Sequence, residues 1–111
     1  MRTELSAWLE DNDLDALFIP VNGPAWKTDW VQGDRFSFGG TSGLAAVSGY
    51  PSVVLPAGMV RQLPVNVGFV GLPFAEPELI QLAYVLEQAT QARRNPAYLP
   101  SLEWATESET P

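Results

Sequence analysis

The chain has 111 residues, a formal net charge of −7 and 46% hydrophobic residues. That composition describes one globular domain, or part of one, whose acidity excludes general binding to nucleic-acid backbones or anionic membranes. Cysteine and histidine are both missing, which removes thiol chemistry, disulfides, Cys/His zinc sites and His-based triads. No metal or cofactor is implied, and the lack of Cys fits a cytoplasmic protein. No apolar run approaches the ~18 residues a membrane span needs.

Thr3 to about Asn12 reads as a helix with Leu5, Trp8 and Leu9 on one apolar face and Asn12-Asp13 as its stop. Ala16 to Ile19 is a short apolar run closed by Pro20, and it reads as a buried, parallel, central strand. In open α/β sheets ligands sit beyond the carboxyl ends of strands, so the Val21-Asn22-Gly23-Pro24-Ala25-Trp26 loop is a pocket candidate. Residues 21–40 carry turn signals but no periodicity, together with Trp26, Trp30, Phe36 and Phe38. Two readings stand for this loop: a lid over the core, or an aromatic wall facing a substrate.

Ser42 to Ser48 reads as a short helix, capped by Thr41 or Ser42 and stopped by Gly49. Val53-Val54-Leu55 is a buried strand. Val65, Val67 and Phe69 alternate along a second strand, and the connection over 57–64 suits a hairpin. Glu78 to about Arg94 is the longest helix, with Pro77 in its first turn and a stripe of Leu79, Leu82, Ala83, Leu86 and Ala89 widened by Ile80 and Val85. Glu76 and Glu78 early, with Arg93 and Arg94 late, suit the helix dipole. From Pro100 onward the chain turns polar and acidic around Trp104, so residues 101–111 are expected to form a flexible acidic tail.

In order and spacing, several of these segments resemble the late part of amidase signature family enzymes. They are Asp13-Leu14-Asp15-Ala16-Leu17 to Pro20, Asn22-Gly23-Pro24-Ala25-Trp26, Gly33-Asp34, Ala45-Ala46-Val47-Ser48-Gly49-Tyr50-Pro51, Val54-Leu55-Pro56-Ala57-Gly58, Leu63-Pro64-Val65, Phe74, and the final helix with Leu82-Ala83-Tyr84, Glu87-Gln88-Ala89-Thr90 and Arg93. The resemblance covers about residues 3–103. It implies an α/β fold, a partial mixed sheet of about three strands packed by about three helices, with residues 1–100 as the C-terminal segment of an amidase-like domain. Where the family commonly has Gly-Leu-Pro-Val-Gly, this chain has Gln62-Leu63-Pro64-Val65-Asn66, which gives up two positions of glycine freedom.

The family breaks amide C–N bonds with a serine, a second serine in cis conformation and a lysine, all upstream of the segment resembled. The resemblance therefore implies an upstream amidase catalytic segment as partner, with self-association as the alternative, and a small amide as substrate of the complete enzyme. Gly39-Gly40-Thr41-Ser42-Gly43 mimics the nucleophile loop, with Lys27 as a base, but the residues after Ser42 carry the late-segment pattern, in which this position caps a helix. No catalytic residue is assigned. The substrate-binding candidates are Asn22, Trp26 and Asp34. For Asn22 a bond to a substrate carbonyl or amide and a simple Asn-Gly turn are both open. For Asp34 the alternatives are a turn role and a pocket carboxylate, and Asp13 and Asp15 read as caps of turns. Two further readings remain: a non-catalytic interaction module on the amidase scaffold, and a piece of an amidotransferase A-type subunit that works on charged tRNA.

Overall fold

A computed structural model describes residues 2–26, 28–34 and 41–98. Lys27, Phe36, Phe38, Trp104 and the acidic tail over 101–111 lie outside the described residues. The order is α1 (Arg2–Asp11), β1 (Ala16–Pro20), α2 (Thr41–Ser48), β2 (Ser52–Val60), β3 (Leu63–Gly71) and α3 (Glu76–Thr90). Among the described residues, three strands and three helices make the α/β unit the sequence implies.

The sheet runs β1-β3-β2, with β3 central. Both pairings are antiparallel, Phe18 opposite Phe69 and Val53 opposite Phe69 on its other side. This corrects the reading of β1 as parallel and central. It is an edge strand, and the mixed character expected of the sheet is not carried by these three strands. The run Ala16–Ile19 misled because both its faces are apolar without both being covered. Leu17 and Ile19 pack on the core, whereas Phe18 stays 55% exposed, its ring 5.0 Å from that of Phe69.

Side chains alternate across a strand, so each face of the sheet meets its own helices. On one face Val70, with Leu17 and Ile19, meets Leu5 and Leu9 of α1, Leu44 of α2 and Tyr50; Leu9 and Val70 are fully buried. On the other, α3 lies across β2 and β3. Leu79, the buried anchor of α3, sits on Gly71, where an added Cβ would come within 3.0 Å of the Leu79 side chain. Glycine is needed there for close approach, not for an unusual φ. The result is three layers, helix on sheet on helix.

Chain reversals account for the boundaries. At the end of α1, Leu14 N–H donates to Leu9 O (3.0 Å) and Asp13 N–H to Glu10 O (3.1 Å), with Asp13 in the left-handed region at φ 52. This is a Schellman closure with Asp13 at the position usually given to glycine, so Asp13 holds the turn role expected of it. Gly49 (φ 72) stops α2 as expected.

The β2–β3 connection is a hairpin, but the strands run further than the sequence suggests. Val60 pairs with Leu63, leaving only Arg61 and Gln62 in the turn, at φ 49 and 66. Pro56 sits on edge strand β2 beside a bulge between Pro56 and Gly58, the setting in which a sheet tolerates proline. Pro64 lies on the central strand beyond the reach of β1, whose last partner is Val67.

Helix α3 begins at Glu76, with Pro77 in its first turn as expected, and ends at Thr90, where Gln91 turns left-handed at φ 46. Arg93 and Arg94 therefore lie past the helix rather than in its last turn. Pro96 disfavours helix at Asn95 just ahead of it, and the Thr90 hydroxyl donates to Leu86 O (2.9 Å) within the last turn. Ile80 and Val85, expected to widen the buried stripe, are 64% and 66% exposed, and Tyr84 lies with them at 61%.

Candidate functional site

The loop after β1 starts under control of the sheet. Val21 N–H donates to Asn66 O (3.1 Å), carrying the ladder one residue past Pro20. Asn22 follows with its side chain exposed, then Gly23 half-buried. The chain next makes a closed excursion. Asp29 Oδ1 accepts from Val31 N–H (2.8 Å) and Gln32 N–H (2.9 Å), and Gly33 N–H donates to Asp29 O (2.9 Å) with Gly33 at φ 75. The two amide hydrogen bonds hold the Asp29 carboxyl below its usual value, the Gln32 amide contributing most.

The excursion is closed by a side-chain pair: Trp26 Nε1–H donates to Asp34 Oδ1 at 3.2 Å. Two of the three candidates read from the sequence thus meet, eight positions apart, beyond the carboxyl end of β1. The third, Asn22, sits on the same loop but is not joined to them by a hydrogen bond among the described residues. The pair offers an indole face and a carboxylate oxygen side by side on an open surface. Trp30, 94% exposed, covers no core. Among the described residues no group of three or more Asp and Glu side chains could hold a metal ion.

Ser42 lies exposed in the first turn of α2. The serine that matters to the structure is Ser48, fully buried. Its hydroxyl donates to Leu44 O (2.7 Å) and accepts from Tyr50 N–H (3.2 Å), tying the end of α2 to the approach of β2. The Tyr50 hydroxyl in turn bonds Ser6 of α1. A small residue at a helix end is the only sequence signal for this link.

Two surface grooves escaped the sequence reading. One, about 720 Å³, runs along α3 and is lined by Asp15, Glu78, Ile80, Tyr84 and Val85. Ile80 and Tyr84, four apart, were its signal. The other, about 800 Å³, lies between the hairpin tip and residues 92–98. Nothing local in the sequence marks it, because its walls come from segments some thirty positions apart. No described helix is long and apolar enough to cross a membrane.

Comparison with known proteins finds similarity to amidases and to amidotransferase A subunits. The chain is 41% identical over 59 residues to the probable amidase of Arabidopsis thaliana, a match covering 52% of this chain and 12% of that protein. It is 42% identical over 48 residues to the A subunit of glutamyl-tRNA(Gln) amidotransferase from Desulforudis audaxviator, covering 43% and 10%. The peptide amidase PAM, solved in complex with the competitive inhibitor chymostatin, superposes with a TM-score of 0.73 and 39% identity, covering 87% of this chain and 21% of that one. The matched stretches are thus about a tenth of the length of these curated relatives and a fifth of the peptide amidase. No family model matches.

Proposed function

With sequence and fold both similar to a segment of the amidase-signature enzymes, we propose that the chain is the C-terminal portion of an amidase-type hydrolase. It contributes sheet, helix α3 and one wall of the substrate pocket, while the Ser/cis-Ser/Lys core lies outside it. The observation that carries this reading is the superposition on peptide amidase over 87% of the chain at 39% identity.

The division of labour has a chemical basis. A serine hydroxyl attacks an amide carbonyl only when a base removes its proton, and a desolvated lysine relayed through a second hydroxyl does so. Backbone N–H groups then hold the developing oxyanion. The role left to this chain is orientation. The Trp26 ring and the Asp34 carboxylate form a wall against which a small amide rests, and the Asn22 amide bonds its carbonyl or N–H. The exposed apolar side chains of Ile80, Tyr84 and Val85 on α3, and of Phe18 on β1, give the catalytic segment surface to pack on.

Incubation with a fluorophosphonate and with simple amides tests the reading, first on the chain alone and then with a polypeptide carrying the core of a peptide amidase. Neither labelling nor turnover is expected alone. Turnover is expected in the mixture, with Trp26→Ala raising KM about tenfold. Labelling at Ser42 overturns the reading. A cooperative melt as a lone monomer, unchanged by the added core, would favour the non-catalytic module. The 42% identity to an amidotransferase A subunit supports a second parent, a tRNA-dependent amidotransferase. The net charge of −7 then argues that RNA contacts would be made elsewhere.

A further inference from the structure

We infer that the groove between the hairpin tip and residues 92–98 is the docking site of the chain's own acidic tail, residues 99–111. The groove is about 800 Å³, with Met59, Leu63 and Pro64 on the hairpin side and Arg94, Pro96 and Tyr98 opposite. Its floor is apolar, and among the described residues no Asp or Glu lines it. Three of the chain's six cationic residues, Arg61, Arg93 and Arg94, belong to the hairpin turn or the opposite wall. Arg93 and Arg94 bond only neutral oxygens among the described residues: Arg93 Nη1–H donates to Asn95 Oδ1 (2.8 Å), and Arg94 Nη1–H to Gln91 O (2.7 Å) and Arg93 O (3.2 Å). In a chain of net charge −7, these two guanidinium groups have no carboxylate partner among the described residues.

The tail has the complementary chemistry. Its 13 residues hold Leu99, Leu102 and Trp104 with Glu103, Glu107 and Glu109, and no Lys or Arg. In an extended segment Leu102 and Trp104 fall on one side and Glu103 on the other, so the apolar pair can enter the groove while acids reach its basic wall. The described chain ends at Tyr98, on the groove's margin, where φ 51 bends the backbone. Thirteen residues reach at most about 45 Å, and a nine-residue strand spans about 30 Å, so the hairpin tip is within range. Tethering gives the tail an effective concentration of order millimolar, so a modest apolar contact with two ion pairs holds it.

Because the chain has no cysteine, engineered pairs report proximity without background. Met59→Cys with Ala105→Cys, in the full chain under mild oxidation, is expected to close an intramolecular disulfide at least tenfold faster than the control pair Asn12→Cys with Ala105→Cys, which places one thiol at the opposite end of the sheet. Adding Arg93→Glu and Arg94→Glu should slow closure at least threefold, and Glu103→Lys with Glu107→Lys in that background should restore it. A rate equal to the control, or indifferent to charge reversal, overturns the inference. So do disulfide dimers in place of the intramolecular product, which would assign the groove to a second copy. On the unaltered chain, hydrogen exchange at residues 101–107 should be at least fivefold slower than in a free peptide of that sequence, and equal rates overturn it.

Discussion

Replacing Gln62 by glycine should stabilise the protein. The turn between β2 and β3 has two residues, Arg61 at φ 49 and Gln62 at φ 66. A two-residue hairpin with both φ positive is the geometry that favours Asn-Gly, because it follows the right-handed twist of the strands. A side chain held left-handed costs roughly 1–2 kcal/mol, and glycine gives back roughly 0.5–1 kcal/mol through its freer unfolded chain. The difference is a gain of about 0.8 kcal/mol, equivalent to about 3–6 °C in Tm for a domain near this size. Thermal unfolding followed by circular dichroism measures it, with Gln62→Ala as control. Alanine removes the same polar atoms but keeps the Cβ, so it should gain nothing. If Gln62→Gly melts no higher than Gln62→Ala, backbone strain at the turn is not what Gln62 costs.

Gly71→Ala pushes a methyl to within 3.0 Å of Leu79 and should lower stability by about 1–3 kcal/mol, as overpacking does, read from a denaturant midpoint. The double variant with Leu79→Val should recover part of that loss. Ser48→Ala leaves the Tyr50 N–H without its side-chain acceptor in a buried position and should cost about 1–3 kcal/mol, whereas Ser42→Ala on the exposed first turn of the same helix should cost well under that. Asp29 titrates below its ordinary value of 3.8 because two backbone N–H groups bond its charged form. The folded value is the depressed one, so the carboxylate's support of the turn is full above 3.8 and is lost as the pH falls through the folded value. A carboxyl-carbon NMR titration with its midpoint at or above 3.8 contradicts this.

Where the chain's own neighbours decide its conformation, the sequence was readable. Gly49 stops α2 because only the local backbone is at issue, and Val65, Val67 and Phe69 alternate because one covered face suffices to set a period of two. Reading failed where distant parts decide. The apolar run in β1 looked central because apolarity on both faces does not reveal which face this chain covers. Ile80 and Val85 failed for the same reason, since they extend the stripe of α3 in the sequence but face open surface in the fold. Trp26 and Asp34 could each be suspected from the loop's composition. That they bond each other could not, because composition alone does not show that the Asp29 carboxylate accepts from Val31 N–H and Gln32 N–H and so turns the chain between them. Gln91 closes α3 four residues ahead of Asn95, where no glycine or proline announces it.

The placement of proline in the strands governs how this sheet can be extended. An added strand along β1 finds a five-residue ladder that ends at Pro20. Along β2 it finds Ser52–Leu55, then Pro56 without an N–H, and then a bulge that shifts the register. Neither margin offers a long, flat template, so edge-to-edge growth into fibrils is disfavoured at both sides. Association of this molecule, with another copy or with a larger enzyme, is thereby steered to its helical and apolar faces, where side chains rather than backbone choose the partner.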